Sequence, residues 1–187
     1  MPTKKRPFPR PCVVDTNVLI AANGPERCKH VTPIAVENST KALLDISRNG
    51  GLVLDNDDRI FSEYLKQNKA GLLCLAGQPG VGDMFLRWVN DNRFNHTLCE
   101  QRSLNCRDEK TYVFDEFPAD PALVAVDGPD KKFIAVANAG EPKLPILQFG
   151  DSKWWGWKDA LMRIGIDVVF MDPDYAEATY LKKFTPK

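Results

Sequence analysis

Residues 12–22 read Cys12-Val13-Val14-Asp15-Thr16-Asn17-Val18-Leu19-Ile20-Ala21-Ala22. Cys12-Val13-Val14 is a short apolar, β-branched run that predicts a buried strand, and Val18-Leu19-Ile20 turns apolar again at once, predicting a short helix. Asp15 stands between them. A carboxylate flanked in this way is expensive to bury alone, so it needs hydrogen-bond donors or a cation.

The same alternation recurs along the chain. Thr32 as N-cap, Pro33 at the first helical position and Gly50 as the stop predict a helix over 32–49, with Ile34, Ala35, Ala42, Leu43 and Ile46 on one face. Leu52-Val53-Leu54 predicts a strand, and Asn56 or Asp57 can cap a following helix that ends before Gly71, with acidic residues in its first turn. Helices are expected at 81–92, from Pro129-Asp130 to Gly140 (apolar side Phe133, Ile134, Ala137) and at 154–164. Strands are expected at 111–114, 145–149 and 167–170, the last followed by a turn at Pro173. Apolar strands alternating with helices predict an α/β domain, three-layered, with a mainly parallel sheet. Residues 71–120 are the hardest to read and are expected to form an elaboration of that single domain, shaping one wall of a substrate groove.

Composition narrows the function classes. The 187 residues are 43% hydrophobic and 27% charged, with 25 Lys plus Arg against 25 Asp plus Glu. That composition excludes a disordered or collagen-like chain, and balanced charge means that any polyanion site must be local. There is no apolar run of about 18 residues and no signal-like N-terminus, so a soluble, cytoplasmic protein is expected. Residues 1–11 carry Lys4, Lys5, Arg6 and Arg10 among four prolines and predict an extended basic arm.

Five cysteines (Cys12, Cys28, Cys74, Cys99, Cys106) contain no C-x-x-C pair and predict reduced thiols. A zinc set of His96, Cys99 and Cys106 with Cys28 or His30 fits no closed zinc spacing. The frame GQPGVGDM at 77–84 has phosphate-loop glycines, but Asp83 and Met84 stand where Lys and Ser or Thr should be, so a helix-capping turn is expected instead.

Ligands of parallel sheets bind beyond the carboxyl ends of the strands, which gives weight to acids that follow strands. Asp15 and Asp151 meet that condition. Glu63 lies in a helix whose Ile60 and Tyr64 can face the sheet, and Asp130 opens a helix, with Asp127 three residues earlier as its competitor. Carboxylates converging from separate elements suit Mg²⁺ or Mn²⁺, which prefer oxygen ligands.

VVDTNVLIAA (13–22), the Glu63 helix, DKKFIAVANAG (130–140) and ILQFGDSKW (146–154) together resemble the PIN domain family of metal-dependent nucleases, and the resemblance spans residues 12–172. Where family members carry Thr or Ser two residues before the final Asp, this chain has Phe149. The resemblance implies a Rossmann-like fold and phosphodiester hydrolysis, with Asp15, Glu63, Asp130 and Asp151 as the catalytic and metal-binding set. It implies RNA, or single-stranded DNA, as substrate, and it raises the prospect of a toxin role with a silencing antitoxin, and of a homodimer.

Asn17 and Ser152 are expected to orient the carboxylates by hydrogen bonds. Lys131, Lys132 and Lys153 are expected to contact phosphates, and Trp154, with Trp155 and Trp157 beside it, could stack a base or fill the core. A catalytically inert PIN-like module that binds RNA or protein is the rival reading.

Overall fold

The computed structural model describes residues 8–69, 71, 73 and 79–184. Strand β1 (Val13–Val14) runs straight into helix α1 (Thr16–Ala22), and α2 (Pro33–Asn49) follows. The Thr32 hydroxyl accepts from the Ala35 N–H at 3.1 Å, and Gly50 takes φ +71° to end the helix, as the sequence predicts. Ile34 departs from the expected apolar face and is 54% exposed.

Strand β2 (Leu52–Asp55) leads to α3 (Arg59–Lys69). Its cap is neither Asn56 nor Asp57. Asp55, fully buried at the end of β2, accepts from the N–H groups of Arg59 (2.7 Å) and Ile60 (2.8 Å), and Asp58 at φ +57° makes the turn that lets it do so. No acidic residue lies in the first turn of α3. Helix α4 (Val81–Asn92), strands β3 (Cys99–Arg102), β4 (Cys106–Asp108) and β5 (Val113–Phe114), helix α5 (Lys131–Asn138), β6 (Ile146–Gln148), α6 (Lys153–Arg163), β7 (Val168–Phe170) and α7 (Pro173–Phe184) complete the described chain.

β1, β6 and β7 form a parallel sheet in that order, with Val13 opposite Ile146 and Ile146 opposite Val168. β2 pairs in parallel with β3, and a single bridge between Cys12 and Leu52 joins the two groups. The resulting order is β3-β2-β1-β6-β7, with β1 at the centre. β4 and β5 stand apart as an antiparallel hairpin. The architecture is mixed α/β with a mainly parallel sheet. Helices α1, α2 and α4 pack on one another, while α3 and α5 pack together and against β2.

Much of the expected elaboration belongs to this core. Phe85, Leu86 and Val89 of α4 are buried, and β3 extends the sheet beside β2. Close approach explains one glycine: a Cβ on Gly82 would lie 1.9 Å from the carbonyl oxygen of Leu19, so α4 seats on α1 only without a side chain there. Asp83 accepts from the Gly80 N–H at 3.0 Å and from the Asn23 amide at 2.9 Å, which makes the 77–84 frame a helix start; Gly77 and Gln78 themselves lie outside the described residues.

The N-terminal arm also differs from expectation where it is described. Phe8 is buried, and Arg10 pairs with Asp45 at 2.8 Å while donating to the Gly50 carbonyl at 3.1 Å, so its charge is used within the fold. Lys4, Lys5 and Arg6 lie outside the described residues, as does Cys74. Cys12, Cys28, Cys99 and Cys106 are free thiols. Among the described residues no helix is long and apolar enough to cross a membrane.

Candidate metal centre

Three carboxylates converge at one end of the parallel strands. Asp127 precedes and Asp130 ends the 3-10 turn Gly128–Asp130 that leads into α5, and Asp151 follows β6. One oxygen from each lies within 4.8 Å of the others, and among the described residues this is the one group of His, Cys, Asp or Glu side chains so arranged that a metal could be held. The set includes both Asp127 and Asp130, so the competition between them that the sequence leaves open does not arise in space. The zinc set of histidines and cysteines does not assemble among the described residues.

Local structure explains each position. Gly150, at φ +85°, turns the chain after Phe149, and the Asp151 carboxylate accepts from the Lys153 N–H at 2.9 Å. Gln148, fully buried, donates its amide to the carbonyls of Phe149 (3.0 Å) and Asp151 (3.3 Å) and so holds the turn from below. The sequence reading passed over Gln148, although an amide inside the apolar run Pro145–Phe149 is a detectable signal.

Asp15 is 3% exposed and caps α1, accepting from the Asn17 backbone N–H at 2.7 Å. It lies outside the tight trio but within its field. Burial, and then the charges of Asp130, Glu63 and Asp151, push its carboxyl well above the usual carboxylate range against the pull of the Asn17 N–H. Asp130 is raised to about 7 by burial first and by Asp151 next, with Lys132 opposing. Acids raised in this manner are carboxylates short of positive charge, and the donor set is all oxygen. That chemistry fits a hard divalent cation.

Glu63 is held from two sides. The Thr16 hydroxyl donates to it at 2.7 Å, and the Lys132 ammonium pairs with its other oxygen. The neighbouring Tyr64 fixes the helix by donating its buried hydroxyl to the Val14 carbonyl at 2.6 Å, which brings Glu63 to the end of β1.

Several expected contacts take other roles. Lys132 is 5% exposed and bonds Glu63 and the Pro129 carbonyl, so it is an internal cation rather than a phosphate contact on the surface. Lys153 pairs with Asp127 at 2.5 Å but keeps part of its side chain in solvent. Lys131 lies over the Phe117 ring at 5.5 Å. Trp154 is fully buried, edge-on to Trp157, and offers no face to a base; Trp155 packs on Phe170 and under Lys158. Ser152 is buried, and its hydroxyl has no hydrogen-bond partner among the described residues, so it orients no carboxylate. Asn17 acts through its backbone.

One cavity adjoins Glu63 and another adjoins Asp151. The first, of about 530 Å³, also includes Pro129 and Lys132; the second, of about 410 Å³, also includes Asn17 and His30.

No family model, curated protein or solved structure matches the chain.

Proposed function

We propose that this chain is a metal-dependent endonuclease with a three-layered, PIN-like fold, acting on single-stranded nucleic acid, with RNA as the first substrate class. The observation that carries the reading is the convergence of Asp127, Asp130 and Asp151 at the carboxyl end of parallel strands, with Asp15 buried behind them. The strand order β3-β2-β1-β6-β7 supports it, because the acids following β1 and β6 are brought side by side.

Asp127, Asp130 and Asp151 would hold Mg²⁺ or Mn²⁺. Bound there, the ion would lower the pKa of a water and neutralise charge on the scissile phosphate. With a cation bound nearby, Asp15 would be drawn into its charged form and add negative potential from beneath. Glu63, fixed by Thr16 and Lys132, retains free lone pairs with which to orient a water. Lys153 shares Asp127 and is exposed enough to reach a substrate phosphate.

A second reading has a specific observation in its favour. Lys132 and Lys153 already neutralise Glu63 and Asp127, as paired cations would in a module that binds nucleic acid without cutting it. One experiment separates the two: a mixed pool of RNA and single-stranded DNA incubated with Mn²⁺, Mg²⁺ or EDTA. Cleavage that needs the ion and is lost in both Asp130→Asn and Asp151→Asn, each checked for folding, supports the nuclease and identifies its nucleic acid. Folded wild type that cuts nothing with either ion leaves the binding module.

A further inference from the structure

The cavity of about 530 Å³ is lined by residues of α3 and the β4–β5 hairpin together with Pro129 and Lys132. That volume is in the range of sites that enclose a small organic group, about 300–1,000 Å³. Most of its charges are already committed. Arg59 binds Asp57 and Glu109 (2.5 Å each), which ties the hairpin to α3, and its guanidinium also covers the Phe114 ring at 5.8 Å. Glu63 and Lys132 hold each other.

Four groups are left for a ligand. Lys66 is exposed and makes no ion pair with any described residue, the Gln67 amide and the Ser62 hydroxyl lie one helical turn or less away on α3, and Tyr112 offers the one lining aromatic ring not covered by a cation. Tyr112 is also fixed relative to the acids. Its ring edge packs against Gly128, so tightly that a Cβ there would come within 2.6 Å of it, and Gly128 sits between Asp127 and Asp130. The backbone of Tyr112, at φ +56°, takes the left-handed conformation to present the ring this way.

An aromatic ring packed against the Asp127–Asp130 turn, an unpaired ammonium and an amide are the parts that recognise one unpaired nucleotide: the ring stacks on a base, the ammonium meets a phosphate and the amide reads a base edge. A paired base has no free face to offer. We propose that this cavity is the subsite for the unpaired nucleotide next to the scissile phosphate, with Tyr112 stacking on its base, Lys66 binding its phosphate, and Gln67 and Ser62 bonding the base edge. The assignment rests on the nuclease reading for the position of the scissile phosphate, but binding at the cavity can be measured without cleavage.

The test is fluorescence anisotropy of a labelled single-stranded oligoribonucleotide, its deoxyribose counterpart and the duplex of each, in EDTA so that binding is read apart from chemistry. Wild type should bind the single strands and discriminate against the duplexes. Lys66→Glu and Tyr112→Ala should each weaken binding about tenfold, while Tyr112→Phe, which keeps the ring, should bind as wild type. Lys66→Gln should reduce the slope of log affinity against log salt by about one.

Retained cleavage with unchanged single-strand affinity in Lys66→Glu and Tyr112→Ala would overturn the subsite and leave the nuclease reading standing. Absent cleavage with affinity that still depends on Lys66 and Tyr112 would do the reverse. Failure of wild type to bind either single strand would overturn the subsite outright. The ribose and deoxyribose arms identify which sugar the cavity accepts.

Discussion

Thr16 and Glu63 are joined by a 2.7 Å hydrogen bond between the first turn of α1 and the middle of α3. The bond makes the residue after Asp15 a structural partner of the helix that carries Glu63, and Lys132 on α5 closes the connection from the other side. Three helices that meet at the strand ends are thus tied through one carboxylate.

Removing that carboxylate should therefore be costly. Glu63→Ala strands a nearly buried ammonium whose remaining acceptor is the Pro129 carbonyl, and breaking such a pair costs on the order of 3 kcal/mol. Glu63→Gln keeps an acceptor and should cost less. Urea unfolding at constant pH, with the midpoint shifted and the slope unchanged, is the measurement.

Protonation of the acid cluster gives a pH dependence of known sign. The folded-state pKa of Asp130 is raised from 3.8 to about 7, so its contribution to stability is fully present below pH 4 and is lost as pH rises through 7; Asp15 is shifted in the same direction. Asp130→Asn should accordingly gain stability relative to wild type between pH 5 and pH 8 in the absence of divalent ions, as read by paired thermal melts. Added Mn²⁺ should stabilise wild type more at pH 8 than at pH 5, because binding needs the deprotonated carboxylates.

Asp55 accepts two backbone N–H groups at the start of α3 while fully buried. Asp55→Ala should lose about 2 kcal/mol, the upper end for a cap, and Asp55→Asn should recover part of it. Neither Asn56→Ala nor Asp57→Ala should affect that helix start comparably. Denaturation of the four variants side by side checks the assignment.

Gly82→Ala tests how closely α4 meets α1. The added methyl would collide with the Leu19 backbone rather than with a mobile side chain end, so about 3 kcal/mol is expected, at the upper end of the usual cost of overpacking. A thermal melt indistinguishable from wild type would mean that α4 is not seated as described.

The sequence made the strong elements legible. β1, β6 and β7 are apolar runs ended by Asp or Gly, and α2 carries its cap and its stop in plain view. β3 was not legible because Cys99-Glu100-Gln101-Arg102 is mostly polar; it lies beside one described neighbour, β2, and needs little apolar surface. α7 was hidden because Asp172-Pro173 reads as a turn, although Asp172 accepts from the Tyr175 N–H at 3.0 Å as a helix cap does. At the site, the carboxylates could be found by their place after strands and before α5. The inward course of Lys132 could not, because whether a lysine in a helix faces solvent or a buried acid depends on what packs against it.

The central position of β1 has a kinetic consequence. Val13 pairs with Ile146, and the Asp15 N–H donates to the Leu147 carbonyl at 2.9 Å, so Asp15 joins the other acids of the site only when β1 has closed on the distant β6. Contacts between residues so distant in sequence are the slow ones to form, whereas α2 and the β2–α3 unit are local and can form first. A chain emerging from the ribosome would carry Asp15 for most of its synthesis without Asp151 beside it. The meeting of Asp15 with the other acids would therefore be among the last parts of the molecule to come into being.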